Sequence, residues 1–515
     1  MVLRHKENFI VPFIYKDNYE ELCNNINGNE YFRKIEELKE TELHAFINRR
    51  FWQEDNGHCA VFLVNANCGR DALISLYDTE QDLDIKISDI RLYIFKSGIM
   101  FMVISAEYTR GKSGFSLYAA EETNAALKDL YTHKGRFVRF DKNLRLVQNL
   151  DENIFDNVFG ELEKIGTKDE NGIQKITLTL KKSAKEEIRV ENSVALFKNK
   201  DTGEFIDFEN GLFAPVKSKA NMIKCYKKGD VSLACVIDTV LSKINIKELD
   251  SYFESSDNNK LPKKAVVFNL HVLDNDKQFD VKEQLFYLAH GYTHSYKYSK
   301  SGENIISTFD NSYWKITREG AANMNLIESE DHFLHHEFEN KFDTIYLWIL
   351  LLVLHQYYGL QYFTCELLKI YQKSLQEEKK NKKKEFSQYL ADMERIKNKG
   401  DLFLLQYSFA DISQISHQND IYTHICNVYN IKGLISDYKT NADICGKVLE
   451  QKRQKSLQSK VTFLARISTF FTLFTAITQT TMGLVELGST FSLVLRILLG
   501  IAGIGLVVIG LFKNK

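Results

Sequence analysis

The chain has 515 residues, 44% of them apolar and 26% charged, enough length for two or more domains with real cores. Its first 450 residues hold 59 Lys/Arg against 67 Asp/Glu, a net charge of −8, which excludes a general nucleic-acid binder and makes direct nucleic-acid contact unexpected. Eight cysteines without a CxxC pair exclude a zinc ribbon or disulfide framework and read as reduced thiols in a cytosolic domain.

The start, Met1-Val2-Leu3-Arg4-His5-Lys6-Glu7, has no apolar run, so no signal peptide is expected. Residues 1–265 read as mixed α and β. Cys59–Asn65, Ile90–Phe95 and Gly98–Tyr108 are rich in β-branched and aromatic residues and bounded by polar turns, and Lys96-Ser97-Gly98 predicts a hairpin between the latter two. Ile176–Leu180 and Ala265–Val272 are further strand candidates. Ala106–Ser113 satisfies a permissive phosphate-loop pattern. Glu107, Tyr108 and Arg110 are too bulky for backbone amides to wrap a phosphate there, so a basic turn is expected instead. Arg110 and Lys112 remain candidates for contacting a ligand phosphate.

His332, His335 and His336 with Glu337 place ligating side chains close together, but the stretch lacks a further partner and reads as a polar helix start, with no metal site expected. From about Lys341 the apolar period becomes helical. Phe342–Gln372 predicts one long helix whose apolar centre, Ile345–Leu354, is too short to span a bilayer and reads as buried. Glu377–Lys384 reads as a solvated turn or an exposed helix face, and Leu402–Leu434 again has helical spacing. With Pro262 the last proline, a helix from Ala442 to Met482 has no breaker except Gly446.

Two C-terminal segments have the length and apolarity of membrane spans: Val461–Met482 and Phe491–Phe512. Lys452, Arg453, Lys455 and Lys460 precede the first, Lys513 and Lys515 follow the second, and the short link carries only Glu486. Both termini are therefore expected in the cytoplasm. Ser468, Thr472, Thr475 and Gln479 step by four, three and four, so they share one helix face. Such a stripe meets either a neighbouring helix, with hydroxyls also bonding their own backbone, or a water-filled pore in a symmetric oligomer. Arg466 sits near the inner end of that span, and Gly500, Gly503, Gly505 and Gly510 suit close helix packing in the second.

This arrangement over residues 436–515 resembles the CorA family of divalent-cation channels, with Met482 standing where that family has the centre of a Gly-Met-Asn motif and Thr481 and Gly483 replacing its neighbours. The resemblance implies an α+β cytoplasmic domain followed by long helices and a two-helix C-terminal transmembrane hairpin. The corresponding division is 1–340 sensing domain, 341–440 helices, 441–483 stalk helix and first span, 484–490 outer loop, and 491–515 second span with basic tail. It also implies a homo-oligomer, pentameric in that family's manner, in a bacterial inner membrane. Ser468, Thr472, Thr475 and Gln479 would line the cation path, Thr481, Met482, Gly483 and Glu486 the outer mouth, and Arg466 the inner one. The lost Gly-Met-Asn, the long soluble region and the segments Phe309–Trp314, Arg318-Glu319-Gly320 and Leu354-His355-Gln356 are similar to the CorA-like proteins of type III CRISPR loci. That likeness implies a defence effector gated by a nucleotide second messenger of the S-adenosylmethionine–AMP type, with Trp314 and Arg318 as further ligand candidates. A housekeeping Mg²⁺ transporter and a non-conducting membrane-anchored binding protein are the alternatives, and a tethered nucleotide hydrolase dependent on Lys112 is a third. No Ser-His-Asp or Cys-His arrangement occurs, so neither enzyme chemistry nor a cofactor is expected.

Overall fold

The computed structural model describes residues 2–35, 42–52, 57–65, 73–76, 83–108, 117–130, the strands between 137 and 224, 233–244, 246, 249–250, 264–274, 280–293, 296–298, 305–327, 331–379 and 383–483. The chain forms two compact units, Met1–Tyr362 with Phe403–Leu434, and Phe363–Leu402 with Ile435–Lys515.

The first unit is organised on a mixed sheet. In chain order its elements begin β1 (Val2–Tyr15), α1 (Tyr19–Asn27), β2 (Phe32–Lys34), α2 (Ala45–Trp52), β3 (Cys59–Val64), β4 (Leu73–Leu76), β5 (Leu83–Phe95), β6 (Ile99–Tyr108) and α3 (Leu117–Lys128). β7 (Phe137–Arg139) pairs with β13 (Met222–Lys224). A separate antiparallel ribbon runs through β8 (Leu162–Lys168), β9 (Gln174–Leu180), β10 (Glu186–Glu191), β11 (Val194–Asn199) and β12 (Phe205–Asp207). The chain then returns with α4 (Leu233–Ser242), β14 (Leu249–Asp250), β15 (Val266–Asp274), α5 (Val281–His290), β16 (Ile305–Phe309), β17 (Ser312–Ile316) and β18 (Gly320–Ile327).

The order across the main sheet is β16-β17-β18-β15-β1-β6-β5-β3-β2, with β14 joined to β1 and β4 to β5. Among the described strands, only β15 and β18 pair in parallel. Gly98, at φ +92°, makes the β5–β6 turn, a backbone angle that glycine adopts without a Cβ clash. β1 is central, pairing Phe9 with Ile104 on one side and Val267 on the other. Both faces are covered, which explains why β15 is buried along almost its whole length instead of alternating. Beneath one face, Phe9, Val11 and Phe13 of β1 join Leu22 and Ile26 of α1, Leu127 of α3 and Ile237 of α4 in one core.

The opposite face is packed by helices. Two π-helical turns, Phe333–Glu337 and Phe342–Tyr346, flank the single turn α6 (Phe338–Lys341) and lead into α7 (Leu347–Lys379). The predicted helix from Phe342 therefore begins with π rather than α geometry. Phe342 there stacks on Phe268 of β15, ring centroids 4.1 Å apart and nearly parallel. Ile345–Leu354 is buried as expected, with Trp348 edge-on to Tyr93 and Phe95 of β5. The predicted helical stretch Leu402–Leu434 is divided. α8 (Lys383–Tyr407) ends, α9 (Ser416–Val428) follows, and Asn430 at φ +52° turns the chain into α10 (Ile431–Gly483).

In the second unit, α8 and α10 run antiparallel. Tyr438 donates its hydroxyl proton at the Lys397 carbonyl (2.9 Å) and Asp401 Oδ1 (3.0 Å), while Arg453 reaches both carboxylate oxygens of Glu394 at 2.6 Å. Gly400 is required there, because a Cβ would lie 2.3 Å from the Tyr438 hydroxyl.

Among the described residues no helix is long and apolar enough to cross a membrane. This corrects the expected transmembrane hairpin, and the membrane-protein and ion-channel reading with its multi-pass inner-membrane location. α10 does extend through Val461–Met482, but Arg466 and the hydroxyls of Ser468, Thr469, Thr472 and Thr475 interrupt its apolar residues. The second expected span, the outer loop with Glu486 and the basic tail lie outside the described residues.

Candidate functional site

A cleft of about 450 Å³ opens on the helix-covered face of the sheet, within the range of small-molecule pockets. The register builds it. Asn8 of β1 pairs with Ser105 of β6, and Ser105 with Asp89 of β5, so all three share a face. One step along, Arg91 of β5 pairs with Leu63 of β3, and Leu63 with Arg33 of β2. A β-bulge between Ile87 and Asp89 shifts the register there and places Ser88 and Asp89 together on the rim. Lys6 lies two residues before Asn8 and so shares its face. Among the described lining residues, all come from strands or their ends except Asp343, which the second π-helical turn supplies.

Charges in the cleft are balanced and close. Lys6 pairs with Asp343 and lies 3.2 Å from Glu339. Arg4 continues the row at 3.5 Å from Glu339. Arg91 Nε donates to Asp89 Oδ2 at 2.6 Å. Burial works to discharge Lys6, but Asp343 and Glu339 outweigh it and hold the ammonium above its ordinary range. Burial likewise opposes the Arg91 charge, and Tyr93, Asp89 and Asp343 more than restore it. Asp343 is pushed upward by burial despite Lys6 and Arg91 beside it. The cleft thus holds Lys6, Arg33 and Arg91 against Asp89, Glu107 and Asp343.

Asn8 is the most telling member. It is 2% exposed, its Oδ1 accepts from Ser105 Oγ at 2.6 Å, and its Nδ2 has no hydrogen-bond partner. Asp89 Oδ1 is also buried without one. Buried polar atoms are ordinarily satisfied, so a donor and an acceptor facing one cleft suit a ligand that supplies the complementary groups. Glu7 follows the pleat to the other face, 3.4 Å from His271. Burial pushes that carboxyl well up and His271 down to about 3, so the contact is between neutral groups.

The sequence candidates fall elsewhere. Trp314 is 1% exposed and stacks with Phe268 and Phe342, with Tyr346 5.1 Å away, as a core side chain. Arg318 is exposed in the β17–β18 turn and donates to the Val428 carbonyl at 3.3 Å. Neither lines the cleft. Arg110 and Lys112 lie outside the described residues. On α10, Ser468, Thr472, Thr475 and Arg466 are exposed. The Thr472 and Thr475 hydroxyls bond the carbonyls of Ser468 (2.9 Å) and Phe471 (2.7 Å), so the helix satisfies them internally. Gln479, Thr481, Met482 and Gly483 belong to the last turns of that helix, and Glu486 lies outside the described residues. Lys6, Asn8 and Asp89 are what the sequence reading missed. The available signal was polar residues set inside an otherwise apolar strand, at Lys6-Glu7-Asn8 before Phe9-Ile10-Val11. No family model, curated protein or solved structure matches the chain.

Proposed function

We propose that this chain is a non-catalytic receptor for a small phosphate-bearing ligand of the nucleotide class, taken up in the cleft between Lys6, Asn8, Asp89 and Arg91. The unpartnered Asn8 amide in a cleft that also presents cations carries the reading. Cationic groups suit phosphate, and the carboxylates of Asp89 and Glu107 suit the amino or ribose hydroxyl donors of a nucleoside. The nucleotide class also agrees with the sequence likeness to messenger-gated effectors. The proposal includes no conducting path and no chemical turnover.

Calorimetric titration of the full chain with AMP, ATP and S-adenosylmethionine tests it. At least one ligand should bind saturably, and Asn8→Ala should weaken it about tenfold, the worth of one hydrogen bond of about 1.4 kcal/mol. Absence of saturable binding throughout the panel removes the proposal.

The exposed face of α10 favours a compatible second reading, self-association. Leu457, Val461, Leu464 and Phe471 are 61%, 63%, 62% and 61% exposed. Their spacing of four, three and seven is that of a coiled-coil seam, whose usual partner is a like helix. Sedimentation equilibrium should show an oligomer that Val461→Asp disperses, and a monomeric wild type over the accessible concentration range rules it out.

A further inference from the structure

The cleft sets one acid on its helical side, Asp343, against the cations Lys6, Arg33 and Arg91 on its strand side, and that acid's contact differs from the rest. Strands supply the remaining described lining, whereas Asp343 reaches in from the π-helical turn Phe342–Tyr346. It meets Lys6 directly and lies within the field of Arg91. A carboxylate paired with one cation and in the field of a second occupies the position where an incoming anion would be bound most tightly. Asp343 is itself largely buried, and burial penalises its charge more than the two cations relieve it. Its hold on the site is therefore an expensive one for the fold. The turn that carries it is a π-helical turn, a geometry rarely kept over α except where a position has a use. Glu339, one turn earlier on α6, holds Lys6 from the other side at 3.2 Å and also meets Arg4. The buried Asn8 Nδ2 beside them lacks an acceptor, which Asp343 does not provide.

We propose that Asp343 is an internal stand-in for the ligand's phosphate. The phosphate of a bound nucleotide displaces the Asp343 carboxylate from Lys6, accepts a hydrogen bond from the free Asn8 amide, and thereby releases the Phe342–Tyr346 turn from β1. This rests on the receptor reading and adds the chemistry of its anion position and the segment that responds. A dianionic phosphate has three acceptor oxygens, so it engages Lys6, Arg91 and Asn8 together, where the carboxylate leaves Asn8 unused. Phe342, stacked on Phe268, and Tyr346, buried beside Trp314 and Phe338, move only with that turn. Ligand occupancy is thus coupled to the aromatic layer at the entrance of α7.

The test is calorimetry on the full chain with AMP, inorganic phosphate and adenosine at fixed ionic strength, alongside hydrogen exchange of residues 333–346. Asp343→Asn removes the competing charge and should raise AMP and phosphate affinity about tenfold, the scale of one charge-assisted contact, while leaving adenosine unchanged. Lys6→Met should weaken both anions by a similar factor. Saturating AMP should speed exchange across 342–346 in the wild type. If D343N fails to fold, Glu339→Gln, which frees only one partner of Lys6, should raise AMP affinity about threefold. AMP binding that is equal in wild type, D343N and K6M, or exchange at 342–346 that is unmoved by AMP, overturns the displacement and leaves the receptor standing. No binding of any probe to wild type or D343N removes the receptor itself.

Discussion

Glu319 offers a stability test whose sign and size follow from the structure. It sits in the turn between β17 and β18, with Oε2 3.2 Å from His290 Nδ1 and Oε1 accepting from the Tyr292 hydroxyl at 3.4 Å. The hydrogen bond from His290 is the main cause that holds this carboxyl at about 2, against 4.5 in the unfolded chain, with burial opposing it and the charges of His290 and Lys128 helping. A carboxyl depressed in this way adds stability that is fully present above about 4.5 and is lost as pH falls through about 2. The difference corresponds to at most about 3 kcal/mol. Because 34% of the side chain is exposed, solvent screening reduces that to about 1–2 kcal/mol. Glu319→Gln should therefore unfold in urea with about 1–2 kcal/mol less stability at pH 7. The deficit should shrink steadily below about pH 4. All three tryptophans, Trp52, Trp314 and Trp348, belong to the first unit, so their fluorescence follows its unfolding separately. Equal midpoints at pH 7, or a deficit that stays constant down to pH 3, would refute the reasoning.

Gly320→Ala brings a Cβ to 2.3 Å from the Val267 carbonyl oxygen, and backbone cannot yield as a side chain does. It should cost about 3 kcal/mol and lower the fluorescence-monitored midpoint, and an unchanged midpoint contradicts the β15–β18 register. Arg318→Ala touches no part of the cleft, so AMP affinity by calorimetry should stay within about twofold of wild type. A larger loss restores Arg318 as a ligand contact. Cys59 is buried and its thiol is driven well above the usual range by burial, so it should resist iodoacetamide at pH 8 until urea unfolds the first unit. Rapid alkylation in the native state contradicts that packing.

How much of this was legible depended on where polar residues fall. β3, β5 and β6 were visible because their apolar runs are long, and Gly98 marks the hairpin between two of them. β1, the centre of the sheet, was hidden by Arg4-His5-Lys6-Glu7-Asn8, which breaks the apolar pattern of a strand. Those interruptions are themselves informative, since Lys6 and Asn8 line the cleft and Glu7 meets His271 on the other face. Trp314 is a ligand candidate only through the family resemblance, not through any pattern in its own strand. Its strand alternates buried with half-buried positions, and the pleat turns it into the aromatic core. The hydroxyl stripe of α10 was correctly placed on one helix, but spacing alone does not distinguish a hydroxyl that faces water from one that bonds its own backbone carbonyl, as Thr472 and Thr475 do. Helical periodicity from Phe342 likewise gives no sign of a π turn, because one extra residue per turn leaves the apolar pattern nearly intact.

The place of β1 bears on how the protein is made. β1 precedes every other described strand of the sheet in the chain, and it must hold both halves of the sheet together. One neighbour, β6, follows within about a hundred residues, whereas the other, β15, is synthesised only near residue 270. Until then the Asn269 edge of β1 has no partner, a long-range closure of the kind that slows folding and exposes an unpaired strand edge to aggregation. Nascent chains stalled before and after β15 emerges should therefore differ sharply in protease resistance across Val2–Tyr15, and holdase chaperones should engage the earlier one.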